Sequence, residues 1–139
     1  MATYEYEHTL HTTASPDDIW RLWADAPNWP SWDTSVTKVE MDGPFTVGAT
    51  GTMHLADQPP VGIKLIEVTP GVGFTDETEI PGAVLRFVHH VVATAEGTAV
   101  THRVEIDGDP DFVGQLGPAV TVDVPEAMAG LVRQASSAA

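Results

Sequence analysis

Histidine is the residue type in this sequence best suited to chemistry at neutral pH, because its imidazole titrates near 6.5 and can accept or donate a proton there. Three of the six histidines fall on the apolar sides of alternating segments. His8 shares a side with Tyr4, Tyr6 and Leu10, His89 with Leu85, Phe87 and Val91, and His102 with Val100, Val104 and Ile106. Side chains two residues apart on a strand share a face, so all three point toward a core or cavity. One of them could act as a lone general acid/base, with His89 and His102 as the candidates; the alternative is a hydrogen-bonded polar spot in an apolar lining. Three neighbouring histidines could also hold a metal with a position left open, but no tight spacing such as His-x-Glu-x-x-His occurs, so neither a metal nor another cofactor is expected.

Trp20, Trp23, Trp29 and Trp32 crowd into thirteen residues. Trp20 and Trp23 read as helix-to-sheet packing, whereas Trp29 and Trp32 lie beyond the helix, where a loop can line a cavity mouth and stack on a ligand. Asp33 caps a short helix or orients a histidine. Arg86 alternates opposite to Leu85 and Phe87 and most simply sits on the outer sheet face. With Val84, Val88 and His90 inward instead, it would enter the cavity and could stabilise an enolate or carboxylate. Arg103 and Glu105 read as a surface pair. There is no phosphate-cradling glycine loop, no serine-elbow motif and no pair of carboxylates on one strand face.

These residues need elements to position them. Thr3–Thr13 alternates as a half-buried strand. Ser15-Pro16-Asp17-Asp18 starts a helix, with a capping serine, proline at the first position and acids in the first turn. Ala26-Pro27-Asn28-Trp29-Pro30 ends it, and a second short helix or turn follows near Trp29–Asp33. Six further strands read as 36–41, 51–55, 61–68, 73–78, 83–94 and 99–106, separated by turns such as Asp42-Gly43-Pro44, Asp57-Gln58-Pro59-Pro60 and Glu96-Gly97. A glycine bulge at Glu96-Gly97 would shift register and place His90, rather than His89, beside His102. Asp109–Ala135 is one long helical candidate: Asp109 and Pro110 start it, and Val113, Leu116, Val120, Val124, Met128, Leu131 and Ala135 form one apolar face. Pro118 and Pro125 should each break or kink it. A soft tail is expected at Ser136–Ala139.

At 139 residues the chain is long enough for one domain with a sizeable core, and its 42% hydrophobic content suits a globular protein. Twenty acidic against six basic residues give a net charge of −14. The basic residues are scattered, so nucleic acid is not expected as a partner. No apolar run approaches a bilayer span, the N-terminus lacks signal-peptide character, and a cytoplasmic protein is expected. The sequence contains no cysteine, which excludes disulfides and thiol chemistry. The element order implies an α+β domain whose curled antiparallel sheet wraps the long helix around a cavity.

This order, with Ala14-Ser15-Pro16-Asp17-Asp18-Ile19-Trp20 and Trp29-Pro30-Ser31-Trp32-Asp33, resembles the START-related, birch-pollen-allergen-like (SRPBCC) superfamily, and within it the polyketide cyclase/dehydrase-like group. Asp42-Gly43-Pro44-Phe45 with Val47-Gly48, Gly51-Thr52-Met53, Leu85-Arg86-Phe87-Val88-His89, Leu116-Gly117-Pro118 and Val124-Pro125-Glu126-Ala127-Met128 add to the likeness. The resemblance implies a helix-grip fold over residues 1–139, with seven antiparallel strands around the C-terminal helix and a hydrophobic cavity between. It also makes the first strand a neighbour of the last, so that His8, His102 and His89 could sit on adjacent strands. The expected function is binding of a small hydrophobic or aromatic molecule, such as a lipid, by a carrier or binding protein. The alternatives are a metal-free polyketide cyclase/dehydratase using His89 or His102, and a non-catalytic interaction module; a homodimer stays open. Expected ligand contacts are Tyr6, His8, Met53, Phe87 and Val104 on strands, Trp29 and Trp32 at the mouth, and Leu116 and Val120 on the helix.

Overall fold

Alternation along the chain produces one antiparallel sheet. The computed structural model describes residues 2–56 and 58–137, apart from the side chains of Ala2 and Ser137. Its strands are β1 (Ala2–Thr12), β2 (Val36–Met41), β3 (Thr50–Leu55), β4 (Val61–Thr69), β5 (Gly73–Ile80), β6 (Ala83–Thr94) and β7 (Gly97–Gly108). The seven lie in the order β1-β7-β6-β5-β4-β3-β2, every neighbouring pair antiparallel. The first strand therefore pairs with the last, and every other pairing joins strands consecutive in sequence. Register shifts between Val36 and Lys38 and between Leu65 and Glu67 interrupt two ladders. Such interruptions sharpen local twist and help the sheet curl.

Helix α1 (Pro16–Ala24) begins as its sequence dictates. Ser15 and Asp18 form a reciprocal capping box, and Pro16 takes a position whose N–H would be unpaired anyway. A 3-10 helix, Ala26–Ser31, completes the connection to β2. Among the described residues, no helix is long and apolar enough to cross a membrane.

The C-terminal helix is bent into two pieces, α2 (Pro110–Thr121) and α3 (Val124–Ser137). Asp109 caps the start, its side chain accepting from the N–H groups of Asp111 and Phe112. A break or kink is expected at each proline; the helix is interrupted once, at Val122-Asp123. α2 runs through Pro118, and the Val122 N–H still bonds the Pro118 carbonyl. Pro125 is the second residue of α3, where its missing N–H loses no intrahelical bond, so it delimits a helix rather than interrupting one. Ser136 and Ser137 of the expected soft tail belong to α3; Ala138 and Ala139 lie outside the described residues, as does Asp57 of the expected turn before β4.

Two close approaches lock the helix onto the sheet side of the molecule. A methyl group at Gly117 would stand 2.5 Å from the Tyr4 ring, and one at Gly130 would stand 2.2 Å from the Trp32 carbonyl oxygen. The Tyr4 hydroxyl also hydrogen-bonds Thr121 Oγ1 at 3.3 Å. The core between these layers includes Leu65, Val100, Val104, Ile106, Val113 and Leu131.

Candidate functional site

The β6–β7 turn decides which histidine faces inward. The ladder runs without a shift from Thr94↔Gly97 to Ala83↔Gly108, so the bulge considered at Glu96-Gly97 does not displace the register. His89 thus opposes His102, and His102 opposes His8. His90 pairs with Thr101 and is exposed. On the other side His89 opposes Phe74. Phe74, His89, His102 and His8 therefore form one row across β5, β6, β7 and β1. The Phe74 and His89 rings stack at 4.0 Å and 7°, and the His89 and His102 rings lie 4.3 Å apart. Trp23 meets His89 edge-on at 5.4 Å, so this tryptophan belongs to the site as well as to helix packing.

A cavity of about 620 Å³ opens beside this row, between the sheet and the bent helix. Trp29, Trp32, Met53, Phe87, His89, His102, Leu116 and Val120 all line it. Tyr6, His8 and Val104 do not, although their strand faces were assigned correctly. β1 is the edge strand against which α2 and α3 pack, and Val104 is fully buried between its neighbours. Tyr6 and Val104 are packing positions instead, and His8 ends the row beyond His102. Exposed lining residues Thr34, Gln58, Ala119, Asp123 and Glu126 mark the mouth.

Arg86 takes the outward option. Its Nε and Nη1 donate to Glu77 and Asp107, each at 3.0 Å, and Arg103 similarly reaches Glu5 and Glu105 at 2.9 Å. These pairs belong to the outer face and leave the cavity without a cation. Asp33 lines the cavity and accepts from the N–H and hydroxyl of Ser35 at 3.0 and 2.6 Å. Burial raises its pKa, assisted by the charges of Asp123 and Glu126 and opposed by Ser35.

The residue missed at the sequence level is Asp76. It lies in β5 two residues beyond Phe74, is 2% exposed, and lines the cavity. The alternation Phe74, Asp76, Thr78 is the signal that would have found it. Burial pushes its pKa up to about 7, with only its own backbone N–H opposing the shift. Its Oδ1 lies 3.9 Å from His89 Nδ1, beyond hydrogen-bond reach. His89 Nδ1 instead donates to the Phe74 carbonyl at 3.3 Å, which places the proton on Nδ1 and leaves Nε2 as the acceptor. Burial, followed by the nearness of His102, holds the His89 pKa well below the usual histidine value. Burial and then His8 lower His102 to about 4. Both imidazoles are therefore neutral at pH 7, and the 3.9 Å contact is not an ion pair.

Two further polar atoms bear on the site. Among the described residues, Trp32 Nε1 and His102 Nε2 are buried without a hydrogen-bond partner. No group of three or more histidine, aspartate or glutamate side chains among the described residues stands close enough to hold a metal ion.

Residues 2–138 match the family model described as polyketide cyclase / dehydrase and lipid transport. The chain belongs to this family. Among solved structures it is similar to a norcoclaurine synthase point mutant from Thalictrum flavum in complex with a transition-state analogue, at TM-score 0.80 and 22% identity, covering 98% of this chain and 96% of that one. It is similar to the Zhui aromatase/cyclase from Streptomyces sp. R1128 at TM-score 0.81 and 15% identity, covering 97% and 94%. It also matches the di-domain aromatase/cyclase StfQ of the steffimycin biosynthetic pathway at TM-score 0.82 and 14% identity, covering 97% of this chain and 51% of that one. At these identities the similarities establish the helix-grip fold and no activity. No curated protein matches the chain.

Proposed function

We propose that this protein holds a small hydrophobic or aromatic molecule inside the cavity, as a carrier or binding protein. The observation that carries this reading is the cavity itself. Its volume of about 620 Å³ falls within the roughly 300–1,000 Å³ of ordinary ligand pockets, and its walls combine aromatic and aliphatic side chains with a few polar groups. Family membership is consistent with it. The test is titration with the neutral fluorophore N-phenyl-1-naphthylamine, alongside native mass spectrometry with a panel of apolar aromatics. Saturable one-to-one binding is expected, and Val120→Trp, which fills the space under α2, should weaken it at least tenfold. Failure of every panel member to bind would mean a collapsed cavity and an interaction module, and would overturn the reading.

One observation favours a second reading, a metal-free polyketide cyclase/dehydratase. Asp76 and His89 are opposed in protonation habit: the carboxyl retains a proton near neutral pH while the imidazole stays uncharged. Environments that push two neighbouring groups apart in this way separate acid from base. In an aldol-type closure, neutral His89 or His102 would accept the proton α to a carbonyl, and the Asp76 carboxyl would protonate the alkoxide that forms. His89→Ala and His102→Ala should then each lower turnover of a poly-β-ketone substrate while sparing binding of the fluorophore. Unchanged turnover in both would remove the histidines from the mechanism.

A further inference from the structure

The walls of the cavity are electrically one-sided. Among the described residues four carboxylate residues line it: Asp76 in the interior, and Asp33, Asp123 and Glu126 toward the mouth. No described lysine or arginine lines it, and the two lining histidines are uncharged at neutral pH. The arginines nearest in sequence to the site, Arg86 and Arg103, are engaged on the outer face. Asp76 is the sharpest feature. Its side chain is 3% exposed and no cation or donor side chain stands within hydrogen-bond distance, His89 Nδ1 being 3.9 Å away and already given to Phe74. A buried carboxylate with no cation beside it is costly, and a cationic ligand would offset that cost. Phe87 is its cross-strand neighbour, and Trp23 and Trp29 line the same cavity, aromatic rings that favour a cation and an apolar body alike.

We infer that the ligand carries a protonated amine on an aromatic or apolar body, with the ammonium seated against Asp76 and the mouth carboxylates drawing cations in and turning anions away. This rests on the proposal that the cavity holds a small molecule, and it narrows the class. Carboxylates, phosphates and sulfates meet no cation inside, and the chain's net charge of −14 works against their approach. An amine finds in Asp76 a partner that its neutral isostere cannot use.

Three probes with one naphthyl body test it at pH 8: 2-(2-naphthyl)ethylamine, 2-ethylnaphthalene and 2-naphthylacetate, each titrated against tryptophan emission. The amine should bind at least tenfold more tightly than the neutral probe, and the acetate should bind most weakly. Asp76→Asn should remove the amine's advantage over the neutral probe, with Asp76→Ala as the second variant. The advantage should largely persist in 0.5 M NaCl, because a buried contact is screened less than a surface field. Equal binding of amine and neutral probe overturns the inference while leaving the cavity reading intact. So does an amine preference that survives both substitutions. If none of the three binds, both readings fail together.

Discussion

Replacing Asp76 by asparagine should make the protein more stable at alkaline pH and leave it nearly unchanged at pH 4. The carboxyl has a pKa of about 7 in the folded chain against 3.8 as the ordinary value. Between those values the folded state binds more protons than the unfolded state, so stability falls as pH rises from about 4 to 7 and levels off above. A gap of roughly three pKa units at ~1.4 kcal/mol each corresponds to about 4 kcal/mol, an upper figure that water entering the cavity would reduce. Asparagine is nearly isosteric and cannot ionise. The variant's excess stability should therefore be near zero at pH 4 and reach at least ~1 kcal/mol at pH 8.5. Urea unfolding of both proteins at pH 4, 5.5, 7 and 8.5 gives the difference directly. His89 Nδ1 on β6 lies 3.9 Å from the carboxyl, and Leu65 and Phe87 are its cross-strand neighbours on β4 and β6. The histidine's own titration has the opposite sign, since a lowered histidine pKa costs stability as pH falls. It is common to both proteins and largely cancels. A difference that does not change with pH would refute a neutral, buried Asp76.

His102→Phe should stabilise most strongly in acid. His102 has a pKa of about 4 against 6.5 as the ordinary value, so its suppressed protonation costs nothing above pH 6.5 and up to about 3 kcal/mol once pH falls to 4. The variant also removes an unpartnered buried Nε2, worth about 1 kcal/mol at any pH, and urea midpoints at pH 4.5 and 7.5 separate the two effects. Gly130→Ala should lower stability by about 2 kcal/mol or more, because its methyl group would meet the Trp32 carbonyl and α3 must move away from the cavity mouth. Chemical denaturation measures the loss, and N-phenyl-1-naphthylamine affinity should fall with it.

Period-two patterning aims His8 and His102 inward but leaves β6 with either His89 or His90 on that face, and the unshifted β6–β7 ladder selects His89. It cannot decide how far the curved sheet carries each inward residue from the cavity. Tyr6, His8 and Val104 face the right way, yet α2 and α3 pack over the edge strand and its neighbour and close that part of the interior. Asp76 was legible from its place between Phe74 and Thr78, but an aspartate in a strand reads as solvent-facing until its neighbours are known to be buried. The helix break followed the same logic. Proline chemistry predicts a disturbance at Pro118 and Pro125, and the packing of two separate helical pieces selects Val122-Asp123 as the place where the chain yields.

The pairing of β1 with β7 sets an order of events during synthesis. Residues 2–12 emerge well before their hydrogen-bonding partners, residues 98–108. Until then β1 waits as an unpaired ribbon, and the row Phe74, His89, His102, His8 exists only in pieces. Contacts so distant in sequence slow folding, because a long loop must close before the pairing repays it. The helical pieces that cover β1 come later still. A nascent chain released before Gly97 would carry His89 and Asp76 on an open sheet, with neither wall nor roof, so the pocket forms only once β7, α2 and α3 have been made.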